Sequence, residues 1–183
     1  MQKGFTLIEL LVVIALIAVL AVAVILALNP AELLKQGRDS TRISDLANIN
    51  SALSLYLVDV STPMLTTSTN CFVHASSGAT LANCQARFTS GVTTLSTSTS
   101  QAVNGTGWIP VNLSAISSGS PLPRYPIDPT NNATYYYAFR PSSTSGFYEI
   151  NANLESLKYA PQEATDGGSS STIYEVGNDI TNL

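Results

Sequence analysis

The stretch KGFTLIELLVVIALIAVLAVAVILALNP, from Lys3 to Pro30, decides how the chain is organised. From Leu10 to Leu28 it carries no polar side chain, yet Glu9 stands one residue before that run. A helix over Phe5–Leu28 would reach roughly 36 Å, enough to cross a hydrocarbon layer about 30 Å thick. A helix buried in a soluble core is seldom apolar on every face for so long. A cleaved secretory signal is the rival, because Lys3 supplies a basic start and Ala21-Val22-Ala23 has a small-x-small form. The run outlasts an ordinary signal core, however, and continues past Ala23. A carboxylate at the edge of such a run is costly in lipid and marks a function with a partner. The alternative for Glu9 is a solvated place at headgroup level.

Charge leaves the orientation open. Lys3 is the only charge before Glu9, whereas Lys35, Arg38 and Arg42 follow the span. Basic residues collect on the cytoplasmic side, which by itself would put the N-terminus outside. The Ser/Thr-rich remainder, with its two cysteines, argues for the opposite orientation. The net charge of −4 gives no basic footprint for nucleic acid. Asp39 and Asp45 interleave with the basic residues, which reads as a solvated helix face rather than a headgroup or DNA site.

After Pro30 a helical pattern resumes. Ile43, Leu46, Ala47, Ile49, Leu53 and Leu57 recur at i, i+3, i+4 and i+7, predicting an amphipathic helix to about Val58. Its apolar stripe needs a cover from the rest of the chain. Pro30 is expected to kink this helix, with Gly37 as a second weak point.

From Ser61 to Gly107 the chain is dominated by Ser and Thr, as in TTLSTSTSQ (Thr93–Gln101), and shows no long periodic segment. It reads as a connection between helix and sheet. Cys71 and Cys84 flank a short Ser/Gly/Ala segment there; two cysteines alone leave the compartment open. Outside the membrane they would close a loop worth roughly 3 kcal/mol. Asn104, Asn112 and Asn132 each begin an Asn-x-Ser/Thr triplet, a pattern frequent by chance in this composition. His74 is the single histidine, with no second ligand at zinc spacing.

The last third reads as β. Trp108–Leu113 is a candidate edge strand containing Pro110. Tyr135–Arg140 and Phe147–Leu154 alternate around PSSTSG as a hairpin would. Tyr148, Ile150, Ala152 and Leu154 fall on one face, predicted to pack on the helix stripe, and Glu149, Asn151 and Asn153 on the other. The expected fold class is α+β: a long N-terminal helix over 5–58, membrane-spanning over 5–28, packed on a small antiparallel sheet within a head over 59–183. The single His, the missing Gly-x-Ser-x-Gly element and the lack of paired carboxylates around a motif speak against an enzyme.

Lys3-Gly4-Phe5-Thr6-Leu7-Ile8-Glu9 followed by a wholly apolar helix resembles the start of type IV pilins and of type II secretion pseudopilins. The order Asp128-Pro129, Tyr135-Tyr136-Tyr137, then Tyr148–Glu155 is similar, more loosely, to the C-terminal hairpin of those proteins. The resemblance implies that residues 1–4 are a leader cut between Gly4 and Phe5 by a prepilin peptidase, with methylation of the new Phe5 amine. It implies an N-terminus inside the cell, a single membrane pass while lipid is the partner, and then export into a filament by an assembly platform and its ATPase. It also implies a role for Glu9 as the partner of the Phe5 amine on a neighbouring copy. Pilus subunit is the leading expectation, with a secretion pseudopilin and a membrane-anchored binding protein as alternatives. Major pseudopilins commonly hold calcium in a C-terminal loop. Asp128, Asp166 and Asp179 are the candidates here, although no ligand set is recognisable by spacing and plain turn aspartates are the alternative. No other cofactor is expected.

Overall fold

The computed structural model describes residues 4–66, 68, 70–89, 91–142 and 146–183, and at residues 26–28 the backbone alone. The chain divides into two units, Met1–Lys35 and Gln36–Leu183. The first is dominated by helix α1, Leu7–Leu28. It ends because Asn29 takes the left-handed conformation (φ 42°, ψ 74°), which asparagine tolerates better than most residues. Helix α2, Pro30–Asp59, begins at once. The Asn29 carbonyl accepts from the Glu32 and Leu33 N–H groups. Pro30 stands at the first helical position, where a missing N–H costs nothing. A kink inside one helix was the expectation from sequence; the chain instead breaks at Asn29 and starts a new helix. The stretch from Pro30 through Gly37 is regularly helical.

In the second unit, the head, α2 buries Leu46, Ile49, Ala52, Leu53 and Tyr56. The expected stripe is therefore rotated slightly: Ala47 is exposed, whereas Ala52 and Tyr56 join the core. Five strands form a mixed sheet: β1 (Cys71–His74), β2 (Leu95–Ser98), β3 (Ala138–Pro141), β4 (Tyr148–Ala152) and β5 (Tyr174–Gly177), in the order β2-β1-β3-β4-β5. The β3–β4 pair has the antiparallel register Ala138↔Asn151 to Pro141↔Tyr148. The turn residues 143–145 of the expected hairpin lie outside the described residues.

Two expectations need correction. The sheet is not wholly antiparallel, because β1 and β2 run parallel. Both strands come from the Ser/Thr-rich stretch that reads as plain connection. They are only four residues each, and β2 is Leu-Ser-Thr-Ser, so pairing rather than apolar alternation makes them strands. Conversely, Trp108–Leu113 is not a named strand. It contributes an isolated bridge, Asn104↔Asn112, and runs into a 3-10 turn at Leu113–Ala115. Trp108, Ile109, Val111 and Leu113 are buried for the core, and the Trp108 indole donates to the Pro126 carbonyl.

Both faces of the sheet are covered. Tyr148, Ile150, Ala152 and Phe139 join Leu46, Ile49, Leu53 and Tyr56 of α2 in the larger cluster. Cys71, Val73, Tyr136 and Ala138 pack on the other face with Cys84, Phe88 and Val92. Cys84 sits on the short helix α3, Leu81–Gln85, which Thr80 starts with a capping box to Asn83. The disulfide Cys71–Cys84 pins that helix to β1, with the Cα atoms 6.2 Å apart. Glu149 and Asn151, which alternation places opposite the apolar face, are therefore buried rather than solvated.

The most polar feature of the core is Arg42. Its guanidinium is fully buried and grips Asp128 through two bonds of 2.7 and 2.9 Å, Asp39 at 2.8 Å and Glu155 at 2.6 Å. Arg38 adds a fork to Glu155 at 2.7 and 2.6 Å. Asp39 in turn accepts the backbone N–H groups of Glu155 and Ser156. Arg38 and Arg42 are thus not a solvated basic face; they fasten α2 to two distant loops. Asp128, a calcium candidate from sequence, is consumed by Arg42.

Removing one member of such a buried set strands the others, at a cost of roughly 3–5 kcal/mol. Arg42→Ala is expected to lose that much in denaturant unfolding followed by the fluorescence of Trp108, the sole tryptophan. Hydrogen bonds from Arg38, and then from Arg42, hold the Glu155 carboxyl down to about 2. Its contribution is present above the ordinary value of 4.5 and is lost as pH falls from there toward 2. Wild-type stability should therefore drop over that window, and more steeply than in Arg42→Ala.

Candidate functional site

The site is built from the first residues of the chain upward. Gly4 is exposed, and a Cβ added to it would meet nothing within 4 Å. Its backbone is not in the positive-φ region either. Nothing inside the described chain requires glycine at this position, so any requirement comes from an outside partner. Phe5 follows, 87% exposed. Lys3, the basic residue expected to mark the leader, lies outside the described residues.

Thr6 is the N-cap of α1. Its hydroxyl accepts the Glu9 N–H at 3.3 Å, while Glu9 Oε2 accepts the Thr6 N–H at 2.8 Å and the Thr6 hydroxyl at 2.7 Å. This is a capping box, which satisfies donors that the first helical turn otherwise leaves open. The sequence signal for it, Thr-x-x-Glu before an apolar run, was present at Thr6–Glu9 and is additional to the expected role of Glu9 toward an amine. The cap uses one of the two carboxylate oxygens. Both bonds from Thr6 land on Oε2, and Oε1 takes neither. A carboxylate offers about four acceptor sites, so a cation arriving at Oε1 need not undo the cap.

From Leu7 to Ile25 the helix is long and apolar enough to cross a membrane, and none of it is buried. Its large side chains are 46% (Val13) to 81% (Leu7) exposed. An uninterrupted apolar surface of this size is met in soluble proteins only where lipid or another protein covers it.

The other candidate residues are dispersed. Cys71 and Cys84 are joined in the head. Asp166 accepts the Gly168 and Glu175 N–H groups, and Asp179 accepts from the Asn182 amide. Asp128, Asp166 and Asp179 do not assemble, and no group of three potential metal ligands occurs among the described residues. His74 caps the turn that follows it by accepting the Ser76 N–H. In each Asn-x-Ser/Thr triplet the asparagine Oδ1 accepts the N–H two residues on, so all three are turns built on asparagine.

Comparison with known proteins supplies one finding. The family model for the prokaryotic N-terminal methylation motif matches residues 1–25, the leader of type IV pilins and pseudopilins. No curated protein and no solved structure matches the chain. The match covers the site just described and nothing of the head.

Thr6→Ala removes one half of the cap, worth about 1 kcal/mol. In detergent micelles the amides of Leu7–Leu10 should exchange faster than in wild type, while those of Val12–Leu20 stay unchanged. Unaltered exchange in the first turn would show that the cap does not hold the helix start.

Proposed function

We propose that this chain is a structural subunit of a type IV pilus-like filament. It enters the membrane with its N-terminus in the cytoplasm, is cut between Gly4 and Phe5 by a prepilin peptidase, and polymerises by packing α1 against copies of itself. The single observation that carries this reading is the methylation motif at residues 1–25, which ends in a helix with no cover of its own. Lipid covers that surface before assembly and neighbouring α1 helices cover it afterwards. The Gly4 position supports the same reading, since its freedom from internal contacts leaves it available to a peptidase.

Cleavage creates a group that the encoded chain lacks, a free amine on Phe5 with a reference pKa near 8 and therefore a positive charge at neutral pH. In the filament this amine, methylated or not, approaches Oε1 of Glu9 on a neighbour while Oε2 keeps its cap. In a water-poor environment an unpaired charge costs roughly 3–5 kcal/mol, so only staggers that bring the two together are favourable. The pair thereby sets axial register, as a buried polar residue does in a coiled coil. The assembly platform and ATPase that extract pilins are the further partners in this reading. The same leader serves a secretion pseudopilin; the length of the Ser/Thr-rich insertion and the disulfide-closed loop favour the surface pilus.

The mature protein should begin at Phe5 on N-terminal sequencing, and Gly4→Ala should leave full-length chain in the membrane. A start beyond Ala23 would sink the proposal. Glu9→Ala should be inserted and cut normally yet give no sheared filaments, whereas Thr6→Ala, which touches only the cap, should still assemble. If the two variants fail alike, Glu9 acts only as a cap. Bulk presence of the protein in sheared surface filaments distinguishes the pilus from the pseudopilus.

A further inference from the structure

Two acidic side chains that the proposed function does not use lie deep in the β4–β5 half of the sheet. Glu149 on β4 is 0% exposed and Glu175 on β5 is 2% exposed. The register pairs Asn151 with Glu175 and Glu149 with Gly177. Glu149 and Glu175 are therefore diagonal neighbours on one face, within reach of long side chains. Their surroundings differ. The loop Asp166–Ser170 wraps Glu175, which accepts the Ser170 N–H and the Ser169 hydroxyl. That loop is so close that a Cβ on Gly168 would fall 2.2 Å from Glu175 Oε2. Glu149 has one donor, the Asn151 amide, on Oε1. Its Oε2 is buried with no hydrogen-bond partner among the described residues.

The charged groups around Glu149 do not neutralise it. Arg140 on β3 stands directly opposite in the ladder, yet it forms no ion pair with Glu149 among the described residues; it donates to the Leu183 backbone oxygen, and its Nε is itself without a partner. Arg87, which follows α3, donates to Asn151 and Asn153 and stacks 3.6 Å over the Tyr136 ring. Asp166 is committed to backbone N–H groups. Between two ionised carboxylates no hydrogen bond exists, because neither carries a proton. With one proton, Glu149 Oε2 becomes a donor and Glu175, already served by two donors, becomes its acceptor.

We propose that Glu149 and Glu175 share one proton at neutral pH, and that this acid pair is a pH-sensitive clasp holding edge strand β5 and its loop onto the sheet. Burial first, and the neighbouring Glu175 charge in addition, push the Glu149 carboxyl up to about 8. The native state then holds more protons than the unfolded one between the ordinary value of 4.5 and about 8. Stability from the clasp is fully present below that window and is lost as pH rises through its upper end.

The test uses the full chain in detergent micelles, with urea unfolding followed by Trp108 fluorescence between pH 5 and 8.5. The wild-type folding constant should fall by up to about tenfold per pH unit. Glu149→Gln, which keeps the shape and one donor, should remove most of that slope, and Glu175→Gln should reduce it. An equal slope in Glu149→Gln overturns the proposal. So does a wild-type gain at pH 8 from millimolar calcium that EDTA reverses, since the pair would then hold a cation instead of a proton. If Glu149→Gln does not fold, a carbon-13 titration of the wild-type Glu149 carboxyl decides: an inflection near 4.5 overturns the shared proton, and one near 8 supports it.

Discussion

An apolar helix with no internal cover is the constraint on which everything else turns. At about 25 cal/mol per Å2 of apolar surface, a helix such as α1 cannot be left in water. Among the described residues nothing buries Leu7–Ile25, and in the proposed reading lipid or other copies do so. That dependence explains the division of labour along the molecule. Residues 36–183 form a head with an apolar core of its own, although Val58 and Met64 stay exposed. Glu9 sits where this logic is most exposed, at the first turn of a helix that otherwise tolerates no charge.

The head solves a different problem, that of holding a helix half-covered by polar residues onto a small sheet. Apolar packing from Leu46 to Tyr56 does part of this. Arg42 does the rest, by gathering carboxylates from its own helix, from Asp128 and from Glu155. Charges are costly to bury, and here each is paired and hydrogen-bonded. The Arg42 guanidinium also lies over the Tyr135 ring, 4.9 Å from its centre.

What could be read in the sequence follows the length and regularity of the signal. The apolar run and the repeat from Leu46 to Leu53 are long and periodic, so the helical stretches were legible but not the break at Asn29 that divides them; the Tyr148-Ile150-Ala152 face was legible too. Strands β1 and β2 were not, because four residues cannot show a period and β2 is made of hydroxyl side chains that alternation does not mark. Trp108–Leu113 misled for the opposite reason: its apolar content answers to burial, and Pro110 denies it a ladder. Arg42 looked like surface because neither Asp128 nor Glu155 is near it in sequence. At the N-terminus the methylation motif was legible from the order of its residues, whereas the capping box at Thr6 lay within the same letters and went unread.

The Arg42 cluster has a consequence for the order of events during synthesis. Its partners lie 86 and 113 positions downstream, with Asp128 the nearer and Glu155 the farther. Proteins are made from the N-terminus, and domains close only when their distant parts have emerged. Until Asp128 emerges, Arg42 has only Asp39 of its own helix to pair with, and the α2 stripe lacks strands β3 and β4. Strands β3 and β4, which help cover that stripe, and Glu155, which completes the ionic set, all emerge over residues 138–155. Completion of the ionic set is thus a late event, and a chain halted before Glu155 would carry the strands that cover α2 without the last carboxylate that fastens it.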